Sequence, residues 1–390
     1  MQREHSMVEP FTIQVEDHIL NDLHHRLSHT RWPDEPPNSD WEYGANRSYM
    51  RQLIDYWQNT FDWRKQEKSL NSFHHFRTEI AGLNIHFIHE RGRGANPLPL
   101  ILTHGWPGSF AEMIKVIPML TDPGRFGGAP TDSFDVVVPS MPGFGFSDRP
   151  TQPGMNVFRI ADLWAGLMDA LGYKRFCAQG GDFGAGVSTA LGLHHSERLF
   201  GIHLNYIPGS YRPYLEPEDE HSLLPEELQF LKDGDDWYEG EGGYSHIQRT
   251  KPQTVAYQLN DSPAGLAAWI VEKFQSWGDC NGNVESRFTK DELLTNVFIY
   301  WMTETVSSSM RLYYEGRKAP MHFSKGQFVH SPCAISFFPK ESPFPPRKWI
   351  ERGYNVQHWT DMPRGGHFAA MEEPELLARD IRDFFRRFRR

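Results

Sequence analysis

The chain has 390 residues, a formal net charge of −10, and 39% hydrophobic and 14% aromatic residues. This length can bury a large core and predicts two or three structural units. The negative balance argues against nucleic acid as the main partner, and the ordinary Gly, Pro and charged fractions argue against a disordered chain.

Up to about residue 92 the sequence reads as helical and aromatic, with Asp17-His18-Ile19-Leu20 opening one helix and Tyr49 to Phe61 forming another. Ile85 to His89 then alternates like a strand. From Leu98 the texture changes to short apolar runs between Gly/Pro turns, and Leu98 to Thr103, Phe134 to Val138, Phe176 to Gln179 and Gly201 to Leu204 read as buried strands. Between them Asn156 to Leu171 has its apolar residues at helical spacing, with Gly172 where a C′ glycine belongs. Such alternation predicts a mostly parallel sheet covered on both faces.

From Tyr206 to Pro320 the alternation gives way to helices, with Ser262-Pro263 as cap and first residue of one over Ala264 to Phe274. Strands resume at Ala334 to Phe338 and Val356 to Thr360, and a terminal helix closes the chain. The predicted division is an N-terminal extension (1–92), a sheet domain in two parts (93–205 and 321–390) and a helical lid (206–320). The acidic stretch Glu216 to Glu241 reads as a solvated face. The ending Arg386-Arg387-Phe388-Arg389-Arg390 reads as cations complementing the dipole of the last helix. Cys177, Cys280 and Cys333 form neither a CxxC pair nor a disulfide framework, which fits a reducing compartment. The opening Met1 to His5 has no apolar h-region, and no apolar run reaches the roughly 18 residues that a membrane span needs. A cytoplasmic protein without membrane anchor is expected.

Strand Phe176 to Gln179 runs into Gly180-Gly181-Asp182-Phe183-Gly184 and then a helical stretch. This is the strand-to-helix elbow of hydrolases, small-x-nucleophile-x-small, with Asp where esterases carry Ser. A carboxylate nucleophile can displace a leaving group at saturated carbon, and water can then cleave the resulting ester at the side chain's own carbonyl. A serine would leave an ether that water could not cleave. Strained ethers or alkyl halides are therefore the expected substrates, with Asp182 as nucleophile.

His104-Gly105-Trp106-Pro107-Gly108-Ser109 follows a strand in the slot where such hydrolases build an oxyanion hole, with the amides of Trp106 and Phe183 as donors and Trp106-Pro107 as a candidate cis bond. His367, in Arg364-Gly365-Gly366-His367-Phe368, precedes the final helix and is the expected base. The pairs His24-His25, His74-His75 and His194-His195 are assigned to surface or packing roles, and none shows zinc-ligand spacing. Glu341, after the strand that follows the lid, is favoured over Asp361 as the acid that orients His367. The order nucleophile, acid, base is that of an α/β-hydrolase triad.

The chain resembles the microsomal-type epoxide hydrolases, including their soluble fungal and bacterial members, over nearly its whole length. The resemblance is carried by Phe61-Asp62-Trp63-Arg64, Ile80 to Leu83, Ile85 to Phe87, His104 to Ser109, Gly180 to Gly184, Asn260 to Trp269 and Arg364 to Ala370. It implies an α/β-hydrolase fold with a helical lid insertion and an N-terminal wrapping extension. It also implies Glu341 as the acid, and two lid tyrosines that hydrogen-bond the epoxide oxygen: Tyr244 in Gly243-Tyr244-Ser245-His246, and Tyr313 (or its neighbour Tyr314) in Arg311 to Glu315. The implied reaction makes a vicinal diol from an epoxide and water, with no metal or organic cofactor, and the chain's aromatic content points to an apolar, aryl or terpene-like substrate. Homodimerisation and a role in detoxification or aromatic hydrocarbon catabolism also follow from it. A haloalkane dehalogenase shares the Asp–His core but needs halide donors, and Phe183 stands where a Trp N–H would serve. A non-catalytic ligand-binding member of the fold is the different-class rival. A serine hydrolase is a weaker rival still, since no GxSxG elbow accompanies the His367 loop.

Overall fold

The computed structural model describes residues 7–216 and 223–389. The opening Met1 to His5, the 217–222 part of the acidic stretch and Arg390 lie outside the described residues.

In chain order the strands are β1 (Glu9–Phe11), β2 (His75–Ile80), β3 (Leu83–Glu90), β4 (Leu98–Thr103), β5 (Phe134–Pro139), β6 (Phe176–Gly180), β7 (Leu199–Leu204), β8 (Val329–Phe337) and β9 (Tyr354–Asp361). They form one sheet in the order β1-β2-β3-β5-β4-β6-β7-β8-β9. Pairing is antiparallel along β1-β2-β3-β5 and parallel along β5-β4-β6-β7-β8-β9. Every residue of β5 and of β6 is buried. Their continuous apolar runs therefore reflect a sheet covered on both faces.

The helices before the insertion are α1 (Asp17–Ser28), α2 (Arg47–Asn59), α3 (Trp63–Leu70), α4 (Val116–Thr121), α5 (Val157–Ala170) and α6 (Asp182–His194). Between β7 and β8 lie α7 (Pro225–Glu241), α8 (Gly243–Thr250), α9 (Pro252–Asp261), α10 (Pro263–Trp277), α11 (Lys290–Met302) and α12 (Val306–Gly316). They are followed by α13 (Arg347–Glu351), α14 (Ala369–Glu372) and α15 (Pro374–Phe385). Local signals account for the ends of several. Asn156 caps α5 through the amides of Phe158 and Arg159, and Gly172 follows it at φ +83°. The Ser262 hydroxyl caps α10 at 3.0 Å from the Gly265 amide, with Pro263 as first residue. α11 opens with a capping box, Thr289 with Glu292, as its termini require. In α15 Leu377, Ala378, Ile381, Phe384 and Phe385 line the buried face.

The N-terminal 90 residues run from the sheet edge to the helical insertion. Tyr56 Oη and Gln66 Nε2 donate to Asp291 at 2.9 and 3.0 Å, Arg26 pairs with Asp261 at 2.6 Å, and the Trp63 ring meets Phe298 edge-on. The arginines of the chain's ending have specific partners: Arg386 binds Asp132 at 2.7 Å and Arg389 lies over the Phe134 ring. The three cysteines are free and buried. No described helix is long and apolar enough to cross a membrane. Strand order reverses at β4, where open α/β sheets place their ligand crevice beyond the carboxyl ends of the strands.

Candidate active site

Four loops converge beyond those carboxyl ends: the ones following β4, β6, β8 and β9. Asp182 is the first residue of α6, directly after β6, and has φ +45°. A non-glycine residue in this region is strained, and such strain concentrates at functional positions. The flanking small residues are enforced by contact. A Cβ on Gly184 would lie 1.9 Å from the Thr103 carbonyl oxygen, and one on Gly180 would lie 2.2 Å from the Gly184 backbone. The helix N-terminus behind Asp182 favours its negative charge.

The Trp106 amide donates to Asp182 Oδ1 at 2.8 Å. Two polar residues of α11 hold the Trp106 loop from behind: Asn296 Nδ2 donates to the Pro107 carbonyl at 2.7 Å and Tyr300 Oη to the Gly108 carbonyl at 2.6 Å. The Trp106-Pro107 bond is cis. His104 is buried, with Nδ1 3.0 Å from the Gly105 carbonyl and Nε2 accepting from the Met141 amide at 3.2 Å. Burial lowers its pKa to about 4, so it stays neutral and structural.

His367 Nε2 lies 3.6 Å from Asp182 Oδ2, and Nδ1 lies 2.8 Å from Glu341 Oε2. Asp361 is elsewhere, accepting from its strand neighbour Trp359. Burial alone would neutralise His367, but the charge and hydrogen bond of Glu341, then Asp182 and Glu112, outweigh it and push the imidazole up to about 9. Burial also pushes Asp182 above the ordinary carboxylate value, and the His367 charge and the amides of Trp106 and Phe183 act against it.

Tyr244 on α8 and Tyr313 on α12 roof this cluster. Their rings meet edge to face at 5.8 Å, Tyr244 stacks on Trp106 at 5.2 Å, and Tyr313 packs edge-on to Phe183 at 4.7 Å. Burial raises the pKa of both phenols, and the Asp182 charge adds to the effect, so both remain protonated donors. Tyr314 instead lies under Arg317 and Lys318.

Several neighbours were not anticipated. Tyr206 meets the His367 ring edge-on at 5.8 Å, and Trp277 meets it at 5.1 Å. Burial pushes the Glu112 carboxyl, close behind the Trp106 loop, up to about 7. Glu372 binds the loop that carries His367. Asn296 and Tyr300 did carry a readable signal, two polar side chains one turn apart in the apolar C-terminal half of their helix.

Residues 8–113 match the family model described as epoxide hydrolase N terminus, and residues 99–241 match the alpha/beta hydrolase fold. The chain is 40% identical to Epoxide hydrolase 1 of Oryctolagus cuniculus over 410 residues, covering 98% of this chain and 89% of that protein. It superposes on the juvenile hormone epoxide hydrolase of the silkworm Bombyx mori with a TM-score of 0.83 at 32% identity, covering 98% and 94% of the two chains. The Aspergillus niger epoxide hydrolase gives a TM-score of 0.84 at 31% identity, covering 98% and 96%.

Proposed function

The chain belongs to the epoxide hydrolase family and is an ether-bond hydrolase, and from that premise we propose that Asp182 opens an epoxide to an alkyl ester, which a His367-activated water hydrolyses to a vicinal diol. In the first step Asp182 attacks a ring carbon, the carbon–oxygen bond breaks, and the oxygen takes a proton from the Tyr244 and Tyr313 pair. General acid help of this kind typically contributes about 10²–10⁴-fold. In the second step water attacks the Asp182 carbonyl and passes its proton to His367, which Glu341 orients. The oxyanion rests on the Trp106 and Phe183 amides, and the acyl–oxygen bond breaks to release the diol.

The observation that supports this reading most is the convergence at Asp182 of the Trp106 amide at 2.8 Å and His367 Nε2 at 3.6 Å, beneath two partly buried phenols. The raised proton affinity of His367 fits the sequence of events. Its proton is held partly by the Asp182 charge, and esterification removes that charge. The base is thereby freed once there is an ester to hydrolyse, its proton passing to the phenolate that ring opening left on the tyrosine pair.

The reading extends to an apolar, aryl or terpene-like epoxide as substrate, used in detoxification or aromatic hydrocarbon catabolism by a cytoplasmic homodimer. It treats residues 1–92 as an extension, 93–205 and 321–390 as the hydrolase core, and 206–320 as the lid. A single turnover of styrene oxide by excess enzyme in ¹⁸O-water tests the chemistry. Label is expected in the Asp182 carboxylate and absent from the first diol. Label appearing directly in that diol overturns the scheme.

A further inference from the structure

We propose that Glu372 is a positioning residue for His367, setting the rate of ester hydrolysis while leaving ring opening alone. The inference rests on the two-step reading above.

Glu372 ends α14, one turn beyond the base, and is only 8% exposed. Among the described residues it forms no salt bridge. Its carboxylate is occupied by backbone amides: Oε2 accepts from Gly366 at 3.1 Å and from Asp279 at 2.7 Å, and Oε1 accepts from Phe368 at 2.9 Å. Gly366 and Phe368 flank His367. The other two amides of the loop are also engaged, Gly365 with Asp279 Oδ2 at 3.0 Å and His367 with the Trp277 carbonyl at 3.0 Å. Four consecutive amides of the base loop are thus fixed, two of them by one side chain, and the same side chain ties the loop to the segment after α10. Arg287 braces the other side of this junction, binding Asp279 Oδ2 at 2.8 Å and Glu373 at 2.9 Å.

A buried carboxylate without a salt-bridge partner is costly unless hydrogen bonds replace its hydration. Here three amides do so, two of them from the residues on either side of His367. Ring opening uses Asp182 and the two phenols, none of which is on this loop. Water activation depends on where the imidazole points, and a displacement of about 1 Å at such a group costs about 10²-fold.

The test is Glu372→Gln, which keeps the shape but leaves one acceptor oxygen for three amides. Single-turnover tryptophan fluorescence with styrene oxide, reading the nearby Trp106 and Trp277, would separate ring opening from ester decay. Ester decay is expected to slow about 10–100-fold with ring opening within about threefold of wild type. In the steady state kcat and KM then fall together and kcat/KM is preserved, a signature that general loosening of the fold does not produce. Asp279→Asn, which weakens the Gly365 contact to the loop together with the Arg287 brace, should give a weaker split of the same sign, and it carries the test if the first variant does not fold. Wild-type ester decay in the variants, or equal loss of both steps, overturns the role of Glu372. If wild type itself forms no Asp182 ester, it is the two-step reading that fails.

Discussion

Glu341→Gln separates charge from orientation at the base. The amide oxygen of glutamine can still accept from His367 Nδ1, as Glu341 Oε2 now does at 2.8 Å, so the ring should keep its tautomer and direction. What is lost is the anion, the foremost of the influences that lift His367 to about 9 against its burial. A rise from 6.5 to about 9 corresponds to roughly 3 kcal/mol in favour of the imidazolium, at about 1.4 kcal/mol per tenfold. Imidazolium character develops as the base takes the proton of water. Ester hydrolysis should therefore slow about 10²-fold, short of the roughly 10⁴ seen when an orienting acid's replacement also spoils the tautomer. Stopped-flow single turnover at neutral pH checks this, with the ring-opening phase predicted to change less than about threefold. Unchanged hydrolysis, or a parallel fall in ring opening, would refute the assignment of Glu341 to the second step.

Tyr313→Phe should slow ring opening by about 10²-fold and leave ester decay near wild type, whereas Tyr314→Phe should alter neither by more than about threefold; the same two-phase assay measures both. The Glu341 and Asp182 charges overcome burial to raise His367 from 6.5 to about 9, so its stabilising contribution is fully present below about 6.5 and is lost as pH rises through about 9. Melting temperature should accordingly decline between pH 7 and 9.5, and less steeply in His367→Gln. Gly184→Ala drives a methyl to within 1.9 Å of the Thr103 carbonyl oxygen. Chemical denaturation should show a loss at or beyond the upper end of the roughly 1–3 kcal/mol usual for overpacking.

Reading the chain in one dimension worked where a residue's own neighbours dictate its conformation. The apolar runs of β4 and β6, the cap at Asn156 with Gly172 beyond, and the elbow around Asp182 are all local patterns, and the first two strands matched to within a residue. β1 was missed because it has only three residues, and β2 because it is polar enough to resemble loop: it holds His75, Arg77, Thr78 and Glu79. Its buried His75 is satisfied by His86, 11 residues away, and by the Leu70 carbonyl. The three residues proposed as a triad were legible as candidates because each follows a strand. The carboxylates that support it were not, because Glu372 and Glu112 draw their meaning from amides and charges that only folding brings near. The two lid tyrosines came from family likeness alone. No periodicity distinguishes Tyr313 from Tyr314, and only the three-dimensional arrangement puts the former against Phe183 and the latter beneath two cations.

The hairpin β2–β3 has a bearing on attempts to trim this enzyme. β3 pairs with β5 from Phe87 opposite Pro139 to Glu90 opposite Val136, so a fragment starting after residue 92 would bare Val136, Val137 and Val138 along an unpaired rim. An exposed, flat, β-branched rim recruits other chains. Such a truncation would yield a nucleus for aggregates rather than a smaller catalyst, however intact its candidate site.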